Sequence, residues 1–417
     1  MVLEHDPRPE RGELPAYPSV PAAIGLAAAG TRASVRTWGY LFETICGRRA
    51  RRFADRSLTT VSRNPMSSLH AFVDELALVY FDASSDVPTT AEFVRLEGEI
   101  ESLIEVEVAA GLFDDPLLAH PAPSAPGDSR IRTQSLQGHE AEWLTFGSEW
   151  EPLADSPGRV RWMADRHNNL VRATMLRHAD DEPRPWLVMV HGAEMGRSFD
   201  ARMLRAQRLH DNLGVNIVMP ILPKHGPRRA GGEAIRGTFP GADFIDNFHG
   251  ISQSIWDVRR TLAWVRTQDP TSLGVFGFSL GGYIAATLGA LETDLDALLL
   301  GCPAVDLVDL FSRNMPRLRN GKSRLDYLFG RLNIAYRPIS PLALPVEIER
   351  ERLGLIAAHA DRLADPIDHV SRLWHRWDQP EIHWIDSGHV SYFLRSEPLD
   401  ALERMLVGRG VGEIDAD

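Results

Sequence analysis

The chain has 417 residues, 44% hydrophobic and 24% charged, with a formal net charge of −12. That length allows about two domains and a large buried core, and the negative balance excludes nucleic acid as the main partner. Cys46 and Cys302 are the only cysteines, which excludes a disulfide framework and fits a reducing, cytoplasmic compartment. Arginine supplies nearly all the positive charge, Lys224 and Lys322 being the only lysines. We read this as the codon bias of a GC-rich bacterium.

Residues 1–20 are charged and proline-rich, lack a signal-peptide pattern and are expected to be disordered or loosely attached. Residues 21–118 read as a helical, cap-like domain. Phe72, Leu76, Val79 and Tyr80 fall on one helical face, and Phe93, Leu96, Ile100, Leu103 and Ile104 on another. Pro88 separates the two runs, with Thr89 or Thr90 as the N-cap of the second. The apolar stretch Ile24–Ala29 is too short to span a bilayer. Arg48, Arg49, Arg51 and Arg52, flanked by Phe42 and Phe53, form a basic cluster. It is either a solvated helix face or a contact for phospholipid or a partner. Residues 119–140 are assigned as a linker, because Ala119–Ser129 is rich in Pro, Ala, Ser and Gly.

From 141 to 417 strands and helices alternate, which implies α/β architecture with a mostly parallel, three-layer sheet. Val160–Ala164 and Leu170–Leu176 read as a hairpin turning near Asn168–Asn169. Trp186–Val190, Val215–Met219, Leu273–Phe278, Ala297–Leu300, Leu353–Ala357 and Ile382–Ile385 read as further strands. Arg202–Asp211 reads as a helix, and Ile251, Ile255, Val258, Leu262 and Val265 mark a long amphipathic one. Residues 303–345 interrupt the alternation and read as an inserted cap. Together with residues of about 40–110, this insert is expected to roof the site described next.

Gly277-Phe278-Ser279-Leu280-Gly281 has the form G-x-S-x-G, with an apolar strand before it and a small-residue helical stretch after it. A strand–sharp turn–helix makes such a serine a nucleophile, and the turn leaves no room for side chains at Gly277 or Gly281. Acyl transfer by serine also needs a base, an acid to orient that base, and donors for the oxyanion. His389 follows the last strand and is the expected base. Asp361 follows the strand before it and is favoured as the acid. Asp365 competes but precedes Pro366, where aspartate commonly starts a turn, and Asp306 is a weaker third. Backbone N–H groups of Ala193, in the loop after Trp186–Val190, and of Leu280 are expected to hold the oxyanion. His191 reads as a brace for that loop.

These residues resemble the α/β-hydrolase superfamily over roughly Val160–Leu406, in the order strand-His-Gly, strand-GxSxG, strand-Asp, strand-His. The resemblance implies an eight-stranded, mostly parallel sheet and metal-free catalysis by Ser279, His389 and Asp361. The helical segment ahead of the core resembles FrsA-like esterases and the pseudooxynicotine hydrolases. One departure from the common pattern is the oxyanion loop, His191-Gly-Ala-Glu-Met-Gly196, which lacks the run of glycines of the HGGG type.

Lys224, His225, Arg228 and Arg229 lie past another strand end and either bind an anionic group of the substrate or belong to a solvated loop. No Cys/His array has zinc spacing: His359, His369 and His375 belong with the site or a helix surface. No phosphate-cradling glycine motif is present, so no cofactor is indicated. The expected activity is hydrolysis of a small ester-like molecule. An amide, thioester or carbon–carbon bond cleaved by the same residues, and a catalytically silent binding protein, are the alternatives.

Overall fold

Runs of branched and aromatic residues assemble into one nine-stranded sheet in the computed structural model, which describes residues 22–46, 65–84, 89–136, 139–180, 182–197, 199–229, 239–314 and 322–413. The strands are β1 (Arg130–Leu136), β2 (His139–Gly147), β3 (Leu170–Leu176), β4 (Trp186–Val190), β5 (Asn216–Pro220), β6 (Leu273–Phe278), β7 (Ala297–Gly301), β8 (Leu353–Ala358) and β9 (Glu381–Ile385). Their order is β1-β2-β3-β5-β4-β6-β7-β8-β9. β1, β2, β3 and β5 pair antiparallel, and every later neighbour pair is parallel. β4 to β8 are buried throughout, as strands covered on both faces must be.

The helices are α1 (Ala22–Ile45), α2 (Pro65–Ser84), α3 (Thr90–Ala109), α4 (Arg159–Ala164), α5 (Asp200–Met203), α6 (Ala206–Leu213), α7 (Phe244–Arg266), α8 (Leu280–Leu288), α9 (Leu307–Asn314), α10 (Lys322–Ala335), α11 (Val370–Arg376) and α12 (Glu397–Val407). One face of the sheet packs on α7 and α8 through a core that includes Phe244, Ile251, Val258, Tyr283 and Ile284. The other face packs on α5, α6 and α12 through Ala201, Leu209, Leu402 and Leu406. The result is a three-layer α/β-hydrolase fold. The sheet has one strand beyond the eight expected, the edge strand β1.

Three expectations are corrected. Residues 130–136 are not linker but β1, whose arginines at 130 and 132 give the edge a charged character that hides the strand signal. Val160–Ala164 lies within α4: Val160 is 85% exposed and only Trp162 is buried, its indole N–H donating to Gln253. The true antiparallel partner ahead of β3 is β2. The helix expected over Arg202–Asp211 is split into α5 and α6 at Arg205, whose φ is +51°. The segment 1–20 and the cluster Arg48–Arg52 lie outside the described residues.

α3 starts where the sequence places it. Thr89 and Glu92 form a reciprocal capping box. Phe93, Leu96, Ile100 and Leu103 enter the same core as α7. Glu97 and Glu101 reach Arg324 and Arg331 of the insert helix α10, each at 2.5 Å. α2 behaves differently. Its expected apolar face does not pack inward: Leu76 is exposed, while Ala71, Asp74, Glu75 and Leu78 are buried. α2 lies against α1 on one side and the turn Val390–Leu394 on the other. The two N-terminal elements are therefore divided. α2 sits on the loop after β9, and α3 and α10 pack together beside α7.

Candidate active site

The chain leaves β4 toward α5 and α6 on one face, and leaves β6 into α8 on the other. Adjacent strands whose connections part in this way open a crevice at their C-terminal ends. Ser279 stands in that crevice, half-buried, with φ +56° and ψ −113°. A side chain held there stores strain of order 1–3 kcal/mol. The turn has no slack. A Cβ on Gly277 would lie 2.3 Å from the carbonyl oxygen of Gly281, and one on Gly281 would lie 2.1 Å from that of Val190.

His389 and Asp361 reach Ser279 from the loops after β9 and β8. The Ser279 hydroxyl donates to His389 Nε2 at 2.8 Å, and His389 Nδ1–H donates to Asp361 Oδ2 at 2.7 Å. Asp361 Oδ1 accepts from the amides of Leu363 and Ala364, which fixes the carboxylate's orientation. The imidazole is buried and packs against the Phe278 ring, 5.1 Å between centroids. Burial alone would lower its pKa, but the Asp361 charge and hydrogen bond, with the charge of Asp74, outweigh it and raise the pKa above the ordinary histidine value. Asp365 accepts from the Ile367 amide and pairs with Arg362. Asp306 accepts from the Asp309 amide and pairs with Arg372.

Ala193 lies in the loop after β4, half-buried against the core. A Cβ on the preceding Gly192 would lie 3.3 Å from Ser279 Cβ, so this loop runs beside Ser279. The Gly192 amide is taken up by Met195 Sδ, whereas among the described residues the amides of Ala193 and Leu280 have no backbone acceptor. Asp200 accepts from the Gly196 and Arg197 amides and closes the loop. His191 braces it: Nδ1 donates to the Gly192 carbonyl and Nε2 accepts from the Leu222 amide. Burial pulls its pKa down to about 4, so it stays neutral.

The four candidate substrate-binding residues each have partners within the protein. Lys224 pairs with Asp246 at 3.0 Å and lies over the Trp162 ring. His225 is buried and hydrogen-bonds the Pro223 carbonyl. Arg228 is fully buried and bonds Asp257 and the Ile221 and Asn168 carbonyls. Lys224 and Arg228 are thus held by acids of α7, and His225 and Arg228 by loop carbonyls that need donors. Arg229 lies 3.6 Å from Glu194 of the loop after β4. Arg228→Ala is expected to destabilise the protein by about 3–5 kcal/mol in a urea titration, since it leaves Asp257 buried and unpaired.

One functional candidate was not legible in the sequence. Asp74 of α2 is fully buried beside His389 and Asp361. Its Oδ2 accepts from the amides of His389 at 2.8 Å and Arg362 at 3.0 Å, and its Oδ1 from that of Val390 at 3.0 Å. The available signal was an acidic pair, Asp74-Glu75, inside the otherwise apolar run Ala71–Phe81.

Among the described residues, one group of three side chains has metal-ligating atoms within 4.8 Å of one another: Cys302, Asp361 and His389. Both ring nitrogens of His389 are already hydrogen-bonded. His359 stacks on Trp384, His369 accepts from the Asp306 amide, and His375 lies edge-on to Trp374. Also among the described residues, no helix is long and apolar enough to cross a membrane.

The chain matches no protein-family model. It is 40% identical over 334 residues to an uncharacterized protein of Mycobacterium tuberculosis, covering 79% of each chain. It is 38% identical over 341 residues to another from a second strain, again covering 79% of each. Similar solved structures include acetyl xylan esterases from Paenibacillus (14% identity, TM-score 0.48, 78% of this chain and 98% of that one) and Thermoanaerobacterium (14%, 0.47, 79% and 98%).

Proposed function

The chain belongs to the same family as these two mycobacterial proteins and has the α/β-hydrolase fold, and we propose that it is a serine hydrolase cleaving a carboxylic ester of a small molecule through an acyl-enzyme. The observation that carries the reading is the unbroken relay from Ser279 Oγ to His389 Nε2 and from His389 Nδ1 to Asp361, at 2.8 and 2.7 Å, on a serine held at positive φ.

In this mechanism Ser279 Oγ attacks the carbonyl carbon while His389 Nε2 takes the hydroxyl proton. Asp361 holds the imidazole in the tautomer with Nε2 free to accept, and stabilises the imidazolium. The carbonyl electron pair moves onto oxygen, which the Ala193 and Leu280 amides hold, each worth roughly 3 kcal/mol. Collapse breaks the ester C–O bond, and the leaving alkoxide takes the proton from His389. Water then repeats the sequence on the acyl-enzyme, releasing the acid and restoring Ser279.

A fluorophosphonate probe is the direct test. One adduct is expected, mapped to Ser279 by mass spectrometry and formed far more slowly in His389→Ala. An unlabelled protein, or an adduct elsewhere, removes the reading. The pH profile gives a second check. His389 acts only when neutral and its pKa is raised, so kcat/KM is expected to fall with acidification through a midpoint above the usual histidine value. A flat profile down to about pH 5, with chemistry rate-limiting, excludes His389 as the base.

A further inference from the structure

The mechanism leaves one buried acid beside the relay without a role. Asp74 comes from α2, 315 residues ahead of His389. It gathers three backbone amides, two from the loop that carries His389 and one from the loop that carries Asp361. All three partners are donors. The carboxylate form offers acceptors on both oxygens, which suits three N–H donors. The fit is close: a Cβ on Gly388 would lie 2.8 Å from Asp74 Oδ2. The neighbouring Glu75, also fully buried, takes Arg362 Nε at 2.9 Å and Arg36 of α1 at 3.3 Å. Ser67 of α2 donates to Asp386 at the end of β9. Tyr40 of α1, Ala71 of α2 and Ala360 of the loop after β8 form a small apolar contact. Helix α2 is thus joined to both catalytic loops by polar bonds and to α1 by packing.

We propose that Asp74 is a positioning residue for the Ser279–His389–Asp361 relay: it ties the loop after β8 to the loop after β9 through their amides, and so makes the N-terminal helices part of the catalytic machinery. The inference rests on the reading of Ser279 as nucleophile and deepens it. A helix that only covered apolar surface would bury leucines here. This helix buries a carboxylate whose three partners sit on the two residues adjoining the acid and the base, and on the base itself.

The electrostatics point the same way. Burial and the nearby Asp361 charge push Asp74 up to about 7, while His389 and the amide bonds draw it back. The groups that face it are Asp361 and Arg362 from the loop after β8, His389 from the loop after β9, Cys302 after β7, and Glu75 on its own helix. Acidification that protonates Asp74 removes an acceptor from the two loops, in addition to protonating the base. The acid limb of the wild-type profile is therefore expected to reflect two ionisations.

The test is Asp74→Asn, which keeps the shape but places an NH₂ against an amide donor. For a short p-nitrophenyl ester we expect kcat to fall about 100-fold, the scale of a small misplacement of catalytic groups. KM should stay within about twofold of wild type, and the acid limb should simplify to one ionisation. Gly388→Ala presses on the same carboxylate from the other side and is expected to reproduce the kcat loss if Asp74→Asn does not fold. Unchanged kcat in a folded variant overturns the proposal. So does a loss of activity that only follows the folded fraction measured by circular dichroism. Proton NMR separates this inference from the functional reading. The hydrogen-bonded Nδ1 proton of His389 should be visible in the wild type and broadened or lost in Asp74→Asn, whether or not Ser279 takes a fluorophosphonate. Persistence of that signal in the variant overturns the positioning role even where the esterase reading stands.

Discussion

Replacing Ser279 by alanine is expected to lower kcat toward short p-nitrophenyl esters by about 10⁶-fold, the scale of removing a triad nucleophile, while the protein stays folded. The second half of that expectation comes from the turn. The strain at φ +56° acts on any residue with a Cβ, so alanine inherits it without adding to it. The collisions that define the turn belong to Gly277 and Gly281, not to the hydroxyl. What alanine removes is the nucleophilic oxygen and its 2.8 Å bond to His389. The residual rate would come from the oxyanion donors and binding alone. Circular dichroism and fluorophosphonate mass spectrometry check the two halves together. Activity retained in the pure variant takes Ser279 out of the mechanism, and a collapsed spectrum makes the hydroxyl structural.

The second large effect concerns the acid. Asp361→Asn is expected to lower kcat about 10⁴-fold, because an amide NH₂ facing His389 Nδ1 favours the wrong imidazole tautomer. The other oxygen can still accept from the Leu363 and Ala364 amides, so the loop should hold its shape. Asp365→Asn keeps an acceptor for the Ile367 amide and weakens a pair with Arg362, and it leaves the His389–Asp361 bond in place. Its effect should be far smaller. Steady-state kinetics on both variants decide the matter, and the reverse ranking would make Asp365 the acid.

Ser279, Asp361 and His389 were legible because each is announced locally. Glycines two residues either side of a serine, or an aspartate or histidine just past an apolar run, report strand ends, and strand ends in a parallel sheet face one crevice. Lys224, His225 and Arg228 carried no comparable information. A cation's sequence position does not say whether an acid such as Asp246 or Asp257, on a helix 22 or 29 residues further on, will claim it. Asp74 escaped for a related reason. Hydrophobic periodicity assumes that the inward face of a helix is apolar, and in α2 that reading selects Phe72, Leu76 and Val79. The structure instead turns Ala71, Asp74, Glu75 and Leu78 inward, because the surface they meet includes loop amides in want of acceptors. The edge strand β1 was missed because Arg130 and Arg132 break the apolar alternation that marks a strand.

The span between Asp74 and its partners has a consequence for biogenesis. The contacts at Arg362 and His389 close loops of 288 and 315 residues, among the most non-local that this chain makes. Contacts of that kind are the last to be rewarded as a chain orders. On a ribosome adding about 5–20 residues per second, α2 is made some tens of seconds before the amides it holds. An incomplete chain can therefore carry the serine turn, and even a formed β6 and α8, before His389 is aligned with Ser279. On the function proposed above, hydrolytic activity is therefore expected only in chains whose last strand has emerged from the ribosome.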